Sequence, residues 1–192
     1  MYIDRILYPI ETLGPGNRLV LWTRGCSKHC KNCANPELWD TSNAKNVKVE
    51  DIEQIIINIH NDTPIDGITI SGGDPLEQME EILELVKRVK VMVQDILVYT
   101  GYTVSELERN WDKSIIKRMK ELISVLIDGA YIEELNDKEL SLRGSSNQNI
   151  ICFDESRKSI YEAYLRKGRK IQNVYMGTRL ISVGIHDRKE VK

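Results

Sequence analysis

Cys26, Cys30 and Cys33 stand in one short segment at a C-x3-C-x2-C spacing. Thiolates are the soft donors that hold iron–sulfur clusters and zinc. A structural zinc or an electron-transfer cluster usually has its shell closed by four protein ligands. Three cysteines leave one iron of a [4Fe–4S] cluster open, and an open iron can bind and activate a small molecule. The only other cysteine, Cys152, lies more than a hundred residues away, which argues against a second cluster. The alternative is a zinc site of Cys26, Cys30 and Cys33 completed by His29 or Cys152. His29 adjoins Cys30, an awkward position for binding the same ion, and zinc favours paired C-x2-C knuckles.

Other segments have residues suited to holding a ligand. Ser71-Gly72-Gly73-Asp74-Pro75 has glycines that permit positive φ and close approach of backbone to a ligand. Its plainer reading is a strand-to-helix turn with Asp74 as N-cap. Tyr99-Thr100-Gly101-Tyr102 and Asp128-Gly129-Ala130 each follow a short apolar run. Leu142-Arg143-Gly144-Ser145-Ser146-Asn147-Gln148 reads by itself as a polar loop that satisfies its own backbone. Gly14-Pro15-Gly16 reads as a turn. Trp22 and Trp39 flank the cysteine segment, either as a shield or as core. Cys152 reads as a small buried residue of a strand, and His60 and His186 as isolated surface residues.

These residues need a scaffold. Arg18-Leu19-Val20-Leu21-Trp22 is short and apolar and predicts a strand that ends at the cysteine segment. Ile52, Ile55, Ile56 and Ile59 follow helical spacing, so residues 50–61 should form an amphipathic helix stopped by Pro64. Strands are expected at 67–70, 96–99 and 123–127, with helices at about 76–91, 103–109 and 112–121. Connections of 20 to 30 residues that contain helices imply parallel strands with right-handed crossovers. The ligand-suited loops all follow strand C-termini, the edge where α/β folds bind ligands. The cysteine loop, the double-glycine loop and the Asp128 loop should therefore meet. Beyond residue 150 a strand at 150–153, a helix at 155–166 and strand-like residues 171–186, with turns at Gly177 and Gly184, form a distinct block. No linker is visible, so residues 1–192 are read as one domain, with a core at about 14–148 and an extension at about 150–192.

The chain has 192 residues, 27 lysines and arginines against 29 acidic residues, and a net charge of −2. That length can support one real core. The charges are interspersed and lack the basic footprint of a nucleic-acid binder. The densest positive run, residues 166–170, reads as a solvated helix end. No apolar run approaches the roughly 20 residues needed to span a membrane, and the N-terminus lacks signal-peptide features. Unpaired cysteines fit a reducing cytoplasm.

The motifs together resemble the radical S-adenosylmethionine superfamily, specifically the small activating enzymes of glycyl-radical enzymes, above all those of anaerobic ribonucleotide reductase. Arg143-Gly144-Ser145-Ser146-Asn147-Gln148 matches the R-G-S-S-N-Q signature of those activases letter for letter. The resemblance covers about residues 14–148, with five motifs in the family's order. It implies an α/β fold, a partial parallel (β/α) barrel with a short C-terminal α+β extension. It implies a [4Fe–4S] cluster on Cys26, Cys30 and Cys33, and S-adenosylmethionine chelated to the open iron. Lys31, Asn32, Cys33, Ser71, Gly72, Gly73, Asp74, Thr100, Asp128 and Arg143 are the residues it places at the cofactor. The double-glycine loop is the family's G-G-E-type motif, with Asp74 in the acidic place. Asn32 stands where many superfamily members have an aromatic residue, as it does in the reductase activases. Ala130 replaces the lysine of the family's D-G-K segment, and Arg143 is the cation that would substitute for it.

No catalytic side chain is implied beyond cluster and cofactor. The implied reaction is one-electron cleavage of S-adenosylmethionine to a 5′-deoxyadenosyl radical. That radical abstracts hydrogen from a glycine of a partner glycyl-radical enzyme, here an anaerobic ribonucleotide reductase. Larger activases carry a cysteine-rich ferredoxin-like module. This chain has none, so its electron must come from an external donor such as flavodoxin or ferredoxin. Two other readings stay open: a stand-alone radical enzyme that modifies a peptide or small molecule, and a non-enzymatic zinc-binding adaptor.

Overall fold

The computed structural model describes residues 1–42 and 44–186. The end of the expected extension, 187–192, lies outside the described residues. Nine strands and five α-helices follow one another: β1 (Tyr2–Ile10), β2 (Arg18–Thr23), β3 (Lys45–Asn46), α1 (Val49–Asp62), β4 (Gly67–Gly72), α2 (Met79–Val89), β5 (Ile96–Tyr99), α3 (Val104–Asn110), α4 (Lys113–Leu122), β6 (Val125–Asp128), β7 (Asn149–Cys152), α5 (Lys158–Leu165), β8 (Ile171–Met176) and β9 (Arg179–Gly184). Seven strands form one sheet in the order β3-β1-β2-β4-β5-β6-β7, and β8 and β9 pair as a hairpin.

Strands β2, β4, β5 and β6 are parallel, as the helix-containing connections require. The outer strands go beyond the expected parallel set. β1 pairs antiparallel with β2, and β7 antiparallel with β6. Residues 11–17, too few for a crossover helix, join β1 to β2, so the chain must reverse. The sheet is mixed, and among the described residues it does not close into a barrel.

Side chains alternate along the strands with period two, and both faces are covered. Leu19, Leu21, Ile68, Ile70, Ile96, Val98 and Leu126 pack with α1, α2 and α4 through Ile52, Ile56, Ile82, Val86 and Met119. On the opposite face Val20 and Trp22 meet Val174, Ile181 and Val183 of the β8–β9 hairpin. Leu97, Val125 and Ile127 meet Tyr161 and Tyr164 of α5. The extension therefore supplies the inner layer of the molecule. Gly177 makes the hairpin turn with φ of 61°, as expected. Gly184 does not turn the chain. It ends β9, where a Cβ would sit 2.3 Å from the Lys170 carbonyl oxygen.

A buried ion pair ties three strands together below the site. The guanidinium of Arg18, fully buried, donates to Asp95 Oδ2 at 2.8 Å and to Thr69 Oγ1 at 2.6 Å. Tyr161 donates its hydroxyl to Asp95 Oδ1 at 2.8 Å. Gly14 and Gly67 make room for that guanidinium: Cβ atoms there would lie 2.7 and 2.3 Å from Arg18. The Gly14-Pro15-Gly16 segment is thus more than a turn.

Candidate active site

The C-terminal ends of β2, β4, β5 and β6 converge on one edge, and a cleft opens there. Cys26, Cys30 and Cys33 line it together with Ser71, Gly72 and Gly73. With its open mouth, the cleft encloses about 990 Å³ of empty space.

The cysteine loop is held by the loops after β4 and β5. Gly25, at φ of 98°, turns the chain out of β2 and accepts the Asp74 N–H at 2.6 Å. Gly73 donates its N–H to Thr23 O at 2.9 Å. The N–H groups of Gly25 and Cys26 reach the carbonyls of Leu38 and Trp39 at 2.8 and 3.1 Å, so the loop folds back on its own exit. Ser27 N–H donates to Glu77 Oε1 at 2.6 Å. Lys28 pairs with Glu106 at 2.9 Å and lies 4.1 Å from the centroid of the Tyr102 ring. Inside the loop, His29 and Asn32 adopt φ of 42° and 54°, a left-handed region that asparagine tolerates better than most residues.

Two of the thiols, Cys26 and Cys30, sit in an environment that resists ionisation. Burial pushes Cys26 up to about 11, helped by the negative charges of Asp74 and Glu77. Burial also raises Cys30. A bound cation reverses such a preference, so loading a metal centre must release protons. Among the described residues, no group of three or more His, Cys, Asp or Glu is arranged to hold a metal ion as it stands. Neither partner of the closed zinc alternative comes to the cleft. His29 stacks on Trp39 at 4.8 Å between ring centroids, and Cys152 donates to Asp154 O at 3.0 Å on β7. The three loop cysteines remain the thiols able to hold a centre here.

Trp39 and Tyr99 line the cleft, and among the described residues Trp39 Nε1 and the Tyr99 hydroxyl are buried without a hydrogen-bond partner. An unpaired buried donor costs about 1–3 kcal/mol. Burial also raises the Tyr99 hydroxyl well above its ordinary value, so it stays a donor.

The expected cofactor residues divide into two groups. Asn32, Cys33, Ser71, Gly72, Gly73 and Thr100 line the cleft. Lys31, Asp74, Asp128 and Arg143 do not. Lys31 is exposed and pairs with Glu133 and Glu134 at 3.4 and 3.2 Å. Asp74, only 1% exposed, accepts from Leu76 N–H, Gly101 N–H and Thr100 Oγ1 at 3.0, 2.8 and 2.9 Å. It caps the turn into α2 and joins two loops from behind. Burial outweighs those hydrogen bonds and pushes its carboxyl up to about 6. Asp128 accepts from Val104 N–H at 2.9 Å and Asn149 Nδ2 at 2.8 Å, so its carboxylate ties β6 to α3 and β7. Arg143 donates to Gln148 O at 2.9 Å.

The Arg143–Gln148 string is a self-bonded loop that props the next segment. Gln148 Nε2 donates to Gly129 O, and Asn147 Nδ2 to Ala130 O, each at 2.8 Å. Only Gly144 and Gln148 of that string reach the cleft. Tyr131, Asn136, Ile185 and His186 also line it and were not anticipated. His186 is thus a cleft residue rather than an isolated surface one. Trp39, one of the two tryptophans that flank the cysteines, is a signal in the sequence for an aromatic wall.

Residues 12–151 match the family described as the 4Fe-4S single cluster domain. The anaerobic ribonucleoside-triphosphate reductase-activating protein of Escherichia coli (strain K12) is 38% identical over 150 residues, covering 74% of this chain and 94% of the relative. Its counterpart in Haemophilus influenzae is 42% identical over 154 residues, 76% of this chain and 95% of the relative. The one from Enterobacteria phage T4 is 34% identical over 155 residues, covering 78% and 93%.

Proposed function

Because the chain belongs to the 4Fe-4S single cluster domain family and groups with the anaerobic ribonucleoside-triphosphate reductase-activating proteins, we propose that it activates an anaerobic ribonucleotide reductase by radical S-adenosylmethionine chemistry. The observation that carries this reading is the meeting of Cys26, Cys30 and Cys33 with Ser71-Gly72-Gly73 in one cleft. When bound, a [4Fe–4S] cluster would supply one electron for cleavage of S-adenosylmethionine, whose 5′-deoxyadenosyl fragment takes a hydrogen atom from a glycine of the partner enzyme.

The chain's own residues bind, orient and exclude water. Cys26, Cys30 and Cys33 would hold the cluster. The backbone of Ser71, Gly72, Gly73 and Thr100 receives the polar methionine end. Trp39 and Tyr99 form part of the cleft wall. Asn32 borders the cleft on the cysteine loop. Asp74, Asp128 and Arg143 act from behind by fixing the loops, and Lys31 stays outside.

Cys152 lies on β7, away from the cleft, so the electron comes from an external donor such as flavodoxin or ferredoxin. The test is anaerobic reconstitution with iron and sulfide, reduction, and assay of 5′-deoxyadenosine release. A colourless protein holding one equivalent of zinc would replace this reading with the adaptor reading.

A further inference from the structure

The family match ends at residue 151, yet the cleft continues beyond it. Gly184, Ile185 and His186 line the same cleft as the cysteine loop. They follow β9, whose Val183 is buried against the inner face of the sheet with Val20, Trp22 and Leu38. The hairpin is pinned at its base as well. Gln172 Nε2 donates to Pro9 O at 2.9 Å, its Oε1 accepts Glu11 N–H at 2.9 Å, and Thr12 donates to Val183 O at 3.0 Å.

One side chain couples this hairpin to the rest of the site. The guanidinium of Arg169 donates to Leu140 O, Arg143 O and Gly144 O at 2.9, 3.2 and 3.3 Å. It also reaches Asn136 Oδ1 at 3.0 Å and His186 O at 3.4 Å. A planar fork with five N–H donors can serve so many acceptors at once, and a lysine cannot. Asn136 in turn donates to the hydroxyl of Tyr131 at 3.0 Å, and Asn136, Tyr131 and Gly144 all line the cleft. Arg169 therefore gathers one whole side of the cleft from three chain segments.

We infer that residues 169–186 form a built-in wall of the reaction cleft, that Arg169 is its positioning residue, and that Ile185 and His186 set which glycine-bearing segment of a partner protein the cleft admits. The inference rests on the function proposed above for what enters, whereas the wall itself rests on the contacts alone. An apolar Ile185 beside an imidazole suits a narrow backbone loop with a small residue at its tip. A glycine presents no side chain to collide with that wall.

The test uses the full chain as wild type, Arg169→Ala, Arg169→Lys and Ile185→Trp. In the metal-free protein, iodoacetamide labelling of each cysteine is followed by peptide mass spectrometry. Loosening the wall in Arg169→Ala should speed labelling of Cys26, Cys30 and Cys33 by about fivefold through easier local opening, with Arg169→Lys in between. Cys152, on the far strand of the sheet, should label at the wild-type rate and so reports that the fold is intact. In the cluster-loaded protein, Ile185→Trp should lower the radical yield on the partner reductase by about tenfold or more relative to the amount of cofactor cleaved, because a larger side chain blocks entry. Unchanged labelling in Arg169→Ala overturns the wall, and an unchanged yield in Ile185→Trp overturns its role in admission. Failure of the wild type to bind a cluster or cleave the cofactor would overturn the proposed function instead, and the thiol labelling would still decide the wall.

Discussion

A Cβ atom on Gly73 would lie 2.2 Å from the carbonyl oxygen of Gly25. The double-glycine loop therefore has its form because it must pack against the cysteine loop, backbone on backbone. Gly72 is under the same constraint, since its Cβ would sit 2.3 Å from Thr23 N and O.

Gly73→Ala should accordingly damage more than cofactor affinity. The methyl group must push Gly25 aside, an overpacking cost of about 1–3 kcal/mol. Iron content after reconstitution should fall along with cofactor binding. Melting temperature and iron per chain measure this. Wild-type values for both would show that the loops can separate freely.

Cys26→Ala, Cys30→Ala and Cys33→Ala should each lose the brown iron–sulfur absorbance and all cofactor cleavage. Cys152→Ala should keep both, because its Sγ is engaged with Asp154 O on β7. Ultraviolet–visible spectra of the four variants decide the matter. Loss of the cluster in Cys152→Ala would mean a shell closed by protein.

Much of this arrangement was legible in the sequence. The parallel strands β2, β4, β5 and β6 followed from apolar runs spaced by helical segments, and their loops meet as the topology requires. β1 was missed because Asp4, Arg5 and Pro9 interrupt its apolar pattern, and only pairing with β2 makes it a strand. The ligand-facing half of the site was readable where backbone and cysteine do the work. The resemblance sets Asp74 and Asp128 at the cofactor, and residue type alone cannot show that their carboxylates also tie neighbouring loops together. The contribution of Ile185 and His186 was invisible, since a tertiary fold-back places them and no local motif marks it.

Asp74 gives a pH signature. Its folded-state value, about 6, lies above the ordinary 3.8 because of burial. The folded state thus holds the proton more tightly than the unfolded one, so this residue's contribution to stability falls as pH rises from about 4 to about 6 and levels off above that. Asp74→Asn cannot titrate. The stability difference, wild type minus variant, should decline across that window by an amount on the order of 3 kcal/mol. Chemical denaturation at several pH values measures it, and a flat or rising difference would contradict the assignment.

The Arg18–Asp95 pair should be costly to break. Asp95→Ala leaves a fully buried guanidinium without its carboxylate and orphans the Tyr161 hydroxyl. A loss of about 3–5 kcal/mol is expected, read from urea midpoints. A loss below about 1 kcal/mol, the scale of surface pairs, would show that water reaches the site.

The most direct test of the account is electron paramagnetic resonance on the partner enzyme. Reconstituted, reduced protein is mixed with S-adenosylmethionine and the anaerobic ribonucleotide reductase of the same cell. A glycyl-radical signal on the reductase is expected, absent when cluster, cofactor or reductant is omitted and absent with Cys30→Ala. Cofactor cleavage that proceeds while the reductase gains no radical would contradict the account and direct the search toward a peptide or small-molecule substrate.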